Sequence, residues 1–156
     1  MIENEELLSI VPHRGKMLLL KRVKHYDLQE QSIEAECQIE KDCIFYDNEA
    51  AGIPAWVGFE FIAQTVSAFI GIKNRERKIN KIGLIMSVSQ MRIGLPIFQT
   101  GSIIEIKAKE VDSMDSVHVF EGEIFLEGKK VLEGKLTVMD VDDEQAVMKK
   151  ECNVIE

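Results

Sequence analysis

The chain is short of several features that would have fixed its class at once. It has no excess of basic residues: 19 Lys and Arg stand against 27 Asp and Glu, a formal net charge of −8. No basic stripe or aromatic platform interrupts that balance, which argues against a nucleic-acid partner. Its N-terminus, MIENEELL, is acidic and has no long apolar run, so no signal peptide is expected. Cys37, Cys43 and Cys152 are three thiols with no CxxC spacing, and the three histidines are scattered. That pattern offers neither a metal site nor a disulfide framework, and suits a reduced, cytoplasmic protein. There is no internal repeat and no low-complexity tract. At 156 residues, the chain has the length of one domain with a real core.

One segment stands out from this ordinary background. IPAWVGFEFIAQTVSAFIGI, residues 53–72, reads as a helix from about Trp56 to about Ile72, apolar nearly all round. Such a helix is buried. It carries Glu60 and Gln64, four residues apart and therefore neighbours on one face. A carboxylate on a buried helix must be neutralised, paired, or face a cavity where something polar binds. Three readings follow: a membrane span, a structural acid tied into the core, or a functional acid lining a pocket. Against the span, Glu60 lies a third of the way in, no second span exists and the flanks are strand-like, so no membrane is expected. The pocket acid is the leading reading.

The flanks supply the rest of the architecture. Residues 5–15 read as a short helix or turn ended by Pro12 and Gly15, and residues 17–28 as a strand. Ile33, Ala35, Cys37 and Ile39 alternate on one face of a second strand, with a turn near 29–31. Residues 43–46 read as a short extended piece, and KNRERKINK (73–81) as a polar, basic connector. Long strands follow at 81–94, 101–111, 115–126 and 129–141, the last two joined by a turn whose Gly128 permits positive φ. One greasy helix among five or six antiparallel strands is an α+β pattern. A sheet wrapped round a single central helix is the hot-dog fold, whose open side is often closed by a second subunit. The domain is expected over residues 1–141, with a charged tail at 142–156.

Three blocks then resemble a known family, the 3-hydroxyacyl-[acyl-carrier-protein] dehydratases. VPHRGKMLLLKRV (11–23) looks like the family's Pro-His-Arg opening with its Leu run and Arg-Val. Pro54, Glu60, Ala63 and Gln64 match its helix pattern P-x5-E-x2-A-Q, and MRIGLPIFQTG (91–101) looks like its R-F-x2-P-V-x-P-G turn. PAWVGFEFIAQ looks closer still to the dehydratase-like hot-dog branch of aryl polyene synthesis. The resemblance implies that a loop His removes the α-proton of a 3-hydroxyacyl thioester and that the helix carboxylate helps the 3-hydroxyl leave. It also implies that acid and base come from different subunits of a dimer. The substrate would be carried by acyl carrier protein or CoA through phosphopantetheine, with no cofactor and no metal.

One departure matters. The family's His lies eight residues before the helix Pro, in G-H-F-P-G; here that position is Tyr46, and there is no His between His25 and His118. Asp47 or Glu49 are the local substitutes. The resemblance thus makes Glu60 the catalytic acid, and gives Gln64, Tyr46, Ala55, Trp56, His13 and Arg92 as substrate-binding candidates, Arg92 near the tunnel and facing the carrier's phosphate. His13 either shapes its turn or lines the tunnel mouth. His25 is expected at a solvent-facing strand end and His118 on the sheet surface or an interface. The basic run at 73–81 is either a helix-end charge cluster or a docking patch for an acidic carrier. The function expected is an acyl-thioester-binding protein of dehydratase type, as homodimer or as heterodimer with a paralogous hot-dog subunit that brings the His. A thioesterase with Glu60 activating water, and a non-catalytic subunit completing a partner's site, stay open.

Overall fold

Alternation of apolar side chains decides which strand faces meet the helix. In the computed structural model, which describes residues 1–143, the chain runs β1 (Ile2–Glu3), α1 (Asn4–Ile10), β2 (Arg22–Asp27), β3 (Ser32–Gln38) and β4 (Gly52–Pro54). It continues through α2 (Gly58–Arg77), β5 (Lys81–Ile93), β6 (Ile97–Gln99), β7 (Ile103–Met114), β8 (Val117–Leu126) and β9 (Lys129–Asp142). The main sheet is antiparallel throughout, in the order β1-β2-β3-β7-β8-β9-β5, and β4 pairs with β6 separately. Its inner face is built from Ile33, Ala35 and Cys37 of β3, Ile104 and Ile106 of β7, Phe120 and Ile124 of β8, and Leu132, Leu136 and Val138 of β9, all buried. This is the hot-dog arrangement, one long helix wrapped by a sheet.

α2 fills that concave face with Phe61, Ile62, Val66, Phe69 and Ile72, each at most 1% exposed. Phe61 meets Phe98 and Phe69 meets Phe120 edge-on, with ring centroids 5.9 and 6.1 Å apart. Two glycines set how near its neighbours come. A Cβ on Gly122 would stand 2.3 Å from Ile62, and one on Gly71 would stand 1.8 Å from the carbonyl oxygen of Ile10. The second obstacle is backbone and cannot swing aside, so α1 and α2 touch there only because residue 71 has no side chain. By length and composition the stretch Ala55–Arg77 is able to cross a membrane, but 61% of its apolar window is buried inside this fold: it is the core helix.

Several local expectations are corrected. Residues 73–77 belong to α2, which ends at Lys78 in a left-handed cap with φ 54°, so the connector is short. Lys and Arg are good helix formers and cations suit a helix C-terminus. Residues 17–21 are not strand: a 3₁₀ turn covers Gly15–Met17, and the N–H of Leu19 goes to the side chain of Gln64 at 2.8 Å rather than to a neighbouring strand. Residues 43–46 form a turn, closed by Tyr46 N–H on the carbonyl of Cys43 at 3.0 Å. The seventh strand of the sheet is the two-residue β1, too short for any alternation to reveal. β9 continues through Asp142, and the rest of the charged tail, with Cys152, lies at 144–156, outside the described residues.

β5 is the anomaly in this packing. It is an edge strand of 13 residues, and Leu84, Ile85, Met86, Val88 and Ile93 are all exposed. Ile85, Val88 and Ile93 pair with the inward-facing Val138, Leu136 and Leu132, so they point to the helix side of the sheet, where α2 leaves them bare. A long, apolar, unpaired edge is a ready surface for strand pairing with another chain.

Candidate active site

The site starts at Gln64. Its side chain is 0% exposed, on the α2 face that meets the loop after α1. A buried amide has to satisfy both ends. Its Oε1 accepts the N–H of Leu19 at 2.8 Å, and its Nε2 donates to the carbonyl of Met17 at 2.7 Å and to Glu60 Oε1 at 2.9 Å. The loop is therefore stitched to the helix, and the helix carboxylate is fixed one turn away. Glu60 is 19% exposed at its side chain and opens into a groove.

That groove has a volume of about 910 Å³ and runs along α2 between the turn after α1 and the edge strand β5. His13, Glu60, Ala63, Ser67, Ile70 and Ile85 lie along its wall. At the Glu60 end, His13 Nε2 stands 3.9 Å from Glu60 Oε1, and His13 Nδ1 is buried without a hydrogen-bond partner among the described residues. Burial lowers the pKa of His13, partly opposed by the negative charge of Glu60, so the ring is neutral near pH 7. The structure thus brings His13, Glu60 and Gln64 together.

It keeps the other candidates apart from them. Tyr46 Oη lies 2.7 Å from Thr100 Oγ1, and the Thr100 hydroxyl donates to the carbonyl of Ala51 at 2.8 Å, so the tyrosine is the donor of the first bond and stitches two loops. Asp47 Oδ1 accepts the N–H groups of Glu49 and Ala50 at 2.9 and 3.1 Å, which is a turn-forming role, and Glu49 is exposed. Ala55 is buried and its N–H donates to the carbonyl of Pro96 at 2.9 Å. Trp56 is 57% exposed, edge-on to Phe45. None of these five lines the groove within one chain. Arg92 does not lie near it either: its side chain is 83% exposed, 3.7 Å from Glu133, in a separate shallow depression of about 290 Å³ over Gly122 and Gly134. Its register opposite Glu133 puts it on the outer face of the sheet, away from the groove of the single chain.

The remaining titratable groups are structural. His118 does not sit free on the sheet surface. Its Nδ1 and Nε2 lie 3.1 Å from Glu110 and 3.1 Å from Asp140, and Lys73 from the end of α2 reaches Glu110 at 2.7 Å. Burial alone would raise the pKa of Glu110, but hydrogen bonds from Lys73 and His118 outweigh it and the net direction is down. His25 is exposed. Within the basic run, Lys73, Arg75 and Lys81 pair with Glu110, Glu6 and Asp142, which spends much of its charge inside the chain. The Cys37 thiol is pushed by burial up to about 12 and is no nucleophile. No cluster of metal-binding side chains occurs among the described residues. Sequence reasoning missed the clamp of residues 17–19 on Gln64, for which periodicity gives no signal.

Comparison with known proteins points to one family. A family model described as "ApeP-like: ApeP dehydratase" matches residues 5–149. The 3-hydroxyacyl-[acyl-carrier-protein] dehydratase FabZ of Chlamydia trachomatis serovar L2 is 24% identical over 144 residues, covering 90% of this chain and 93% of its own. The FabZ of Erythrobacter litoralis is 27% identical over 142 residues, covering 88% of this chain and 92% of its own. Among solved structures, a chain of the dehydratase heterocomplex ApeI:P from Xenorhabdus doucetiae superposes with a TM-score of 0.80 at 22% identity, over 91% of this chain and 95% of that one.

Proposed function

The chain belongs to the ApeP-like dehydratase family, and from that premise we propose that it supplies the acid half of a two-subunit site that dehydrates a 3-hydroxyacyl thioester in the cytoplasm. The catalytic unit is its single hot-dog domain, residues 1–141. The observation that carries this reading is the asymmetry of its chemistry. Glu60 is held by a buried amide at the end of a mostly apolar groove, whereas the loop position that should bear a base holds Tyr46, tied to Thr100.

The chemistry follows from that asymmetry. Elimination of water needs a base at the α-carbon and an acid at the 3-hydroxyl in one pocket. The acyl chain lies in the groove beside α2, and Glu60 gives its proton to the departing oxygen. The base comes from a paralogous hot-dog subunit with a loop His. The edge β5 is where that subunit pairs, because its Ile85 and Val88 are left exposed among the described residues. The resemblance to one chain of a dehydratase heterocomplex supports a heterodimer over a homodimer. No cofactor takes part; the thioester is carried by phosphopantetheine on an acyl carrier protein. The product decides between this reading and a thioesterase. With a 3-hydroxyacyl-pantetheine thioester and the partner present, the 2-enoyl thioester should accumulate without free thiol. Release of thiol in step with substrate loss would overturn the dehydratase reading.

A further inference from the structure

We infer that His13 is a second protein group on the substrate, its Nε2 holding the 3-hydroxyl oxygen against Glu60. This rests on the dehydratase reading and deepens it. The gap between His13 Nε2 and Glu60 Oε1 is 3.9 Å, too long for a hydrogen bond between them. An oxygen placed ~2.8 Å from both atoms would see them at an angle of roughly 90°, which a hydroxyl bound by two partners can adopt. The gap has the size of one oxygen, at the end of the groove that receives the acyl chain.

The ring is also set up to donate there. Its other nitrogen, Nδ1, is buried with no partner among the described residues. A proton on Nδ1 would be an orphaned buried donor, whereas a bare lone pair there costs less, so the surroundings assign the proton to Nε2, facing Glu60 and the groove. The backbone is held still: Arg14 Nη1 donates to the carbonyls of Val11 and His13 at 2.7 and 2.8 Å, and Val11 N–H closes on Leu7 at 3.2 Å. Burial lowers the pKa of the ring, and in its neutral form it donates one hydrogen bond.

The step then balances. The partner's base takes the α-proton, and that electron pair becomes the new C=C bond. The C3–O bond breaks, the oxygen takes the proton of Glu60, and water leaves. His13 keeps its proton and stabilises the negative charge growing on the oxygen, as an oxyanion donor does. Glu60 is reprotonated through water by the proton the base has gained. His13 therefore acts on the hydroxyl side only and does not replace the missing loop base.

Equilibrium binding tests this, with Glu60→Gln in the assembled two-subunit complex to stop turnover. The ligands are a 3-hydroxyacyl-pantetheine and the same chain without the hydroxyl. Adding His13→Phe should weaken the hydroxylated ligand about tenfold and leave the other within about twofold. His13→Asn, which keeps an N–H donor, should recover part of the loss. Equal weakening of both ligands, or no weakening of either, would overturn the role of His13 while the dehydratase reading survives. If neither ligand binds the complex with His13 intact, both fall together.

Discussion

Glu60→Gln in the assembled complex should lower dehydration by about 10²- to 10⁴-fold, the usual worth of a positioned proton donor. The substitution is close to isosteric. The amide oxygen of the new side chain can still accept from Gln64 Nε2, whose bond to Glu60 Oε1 is 2.9 Å in the native chain. The clamp on Leu19 and Met17 does not involve residue 60, so the loop should stay in place. What is lost is the proton that the leaving oxygen needs. Turnover should fall while complex mass and melting temperature stay unchanged. Full activity of the substituted mixture would mean that the partner works unaided and that this chain only completes its fold.

The second large effect should come from the edge strand. Ile85 and Val88 are 44% and 41% exposed in the single chain, so changing them costs its own fold little. In a complex paired through β5, both go under the partner. Burying such side chains is worth about 1.5–3 kcal/mol each, so the pair contributes ~3–6 kcal/mol, or about 10²- to 10⁴-fold in Kd. Ile85→Lys with Val88→Lys removes that gain and adds two charges that pairing would have to desolvate, a device natural edge strands use against association. The double variant should keep the circular dichroism of the native chain yet elute as a free subunit beside its partner, and activity should drop to that of the separated proteins. An intact complex would place the interface elsewhere.

The parts of this molecule that show in its sequence are those where one local period is the whole signal. Glu60 and Gln64 sit four apart in an apolar run, and they touch. Ile33, Ala35, Cys37 and Ile39 alternate, and all four are buried. Where a side chain replaces a backbone partner, the period fails: Leu19 lies in an apolar run yet bonds to Gln64, so residues 17–21 never form a strand. Hydropathy also cannot separate a strand buried within its own chain from one that waits for another, and β5 reads like β7 although its apolar side chains are bare. Arg92 and His118 depend on register, on which face of the sheet a residue takes, and the register shifts between Ile85 and Ser87 and between Ser89 and Arg92 move β5 residues between faces without a mark in the composition. His13 reaches Glu60 only through the turn that Arg14 pins, a contact across 47 residues that no spacing rule contains.

The central claim is that this chain brings the acid and a different subunit brings the base. It is tested most directly by one rate measurement on a 3-hydroxyacyl carrier protein: this chain alone, a His-bearing hot-dog paralogue alone, and the two mixed at equal concentration. The account predicts no turnover above background from this chain alone, and a rate from the mixture that far exceeds the sum of the separate rates. Robust turnover by this chain alone would contradict it, because a base would then have to lie within its own 156 residues.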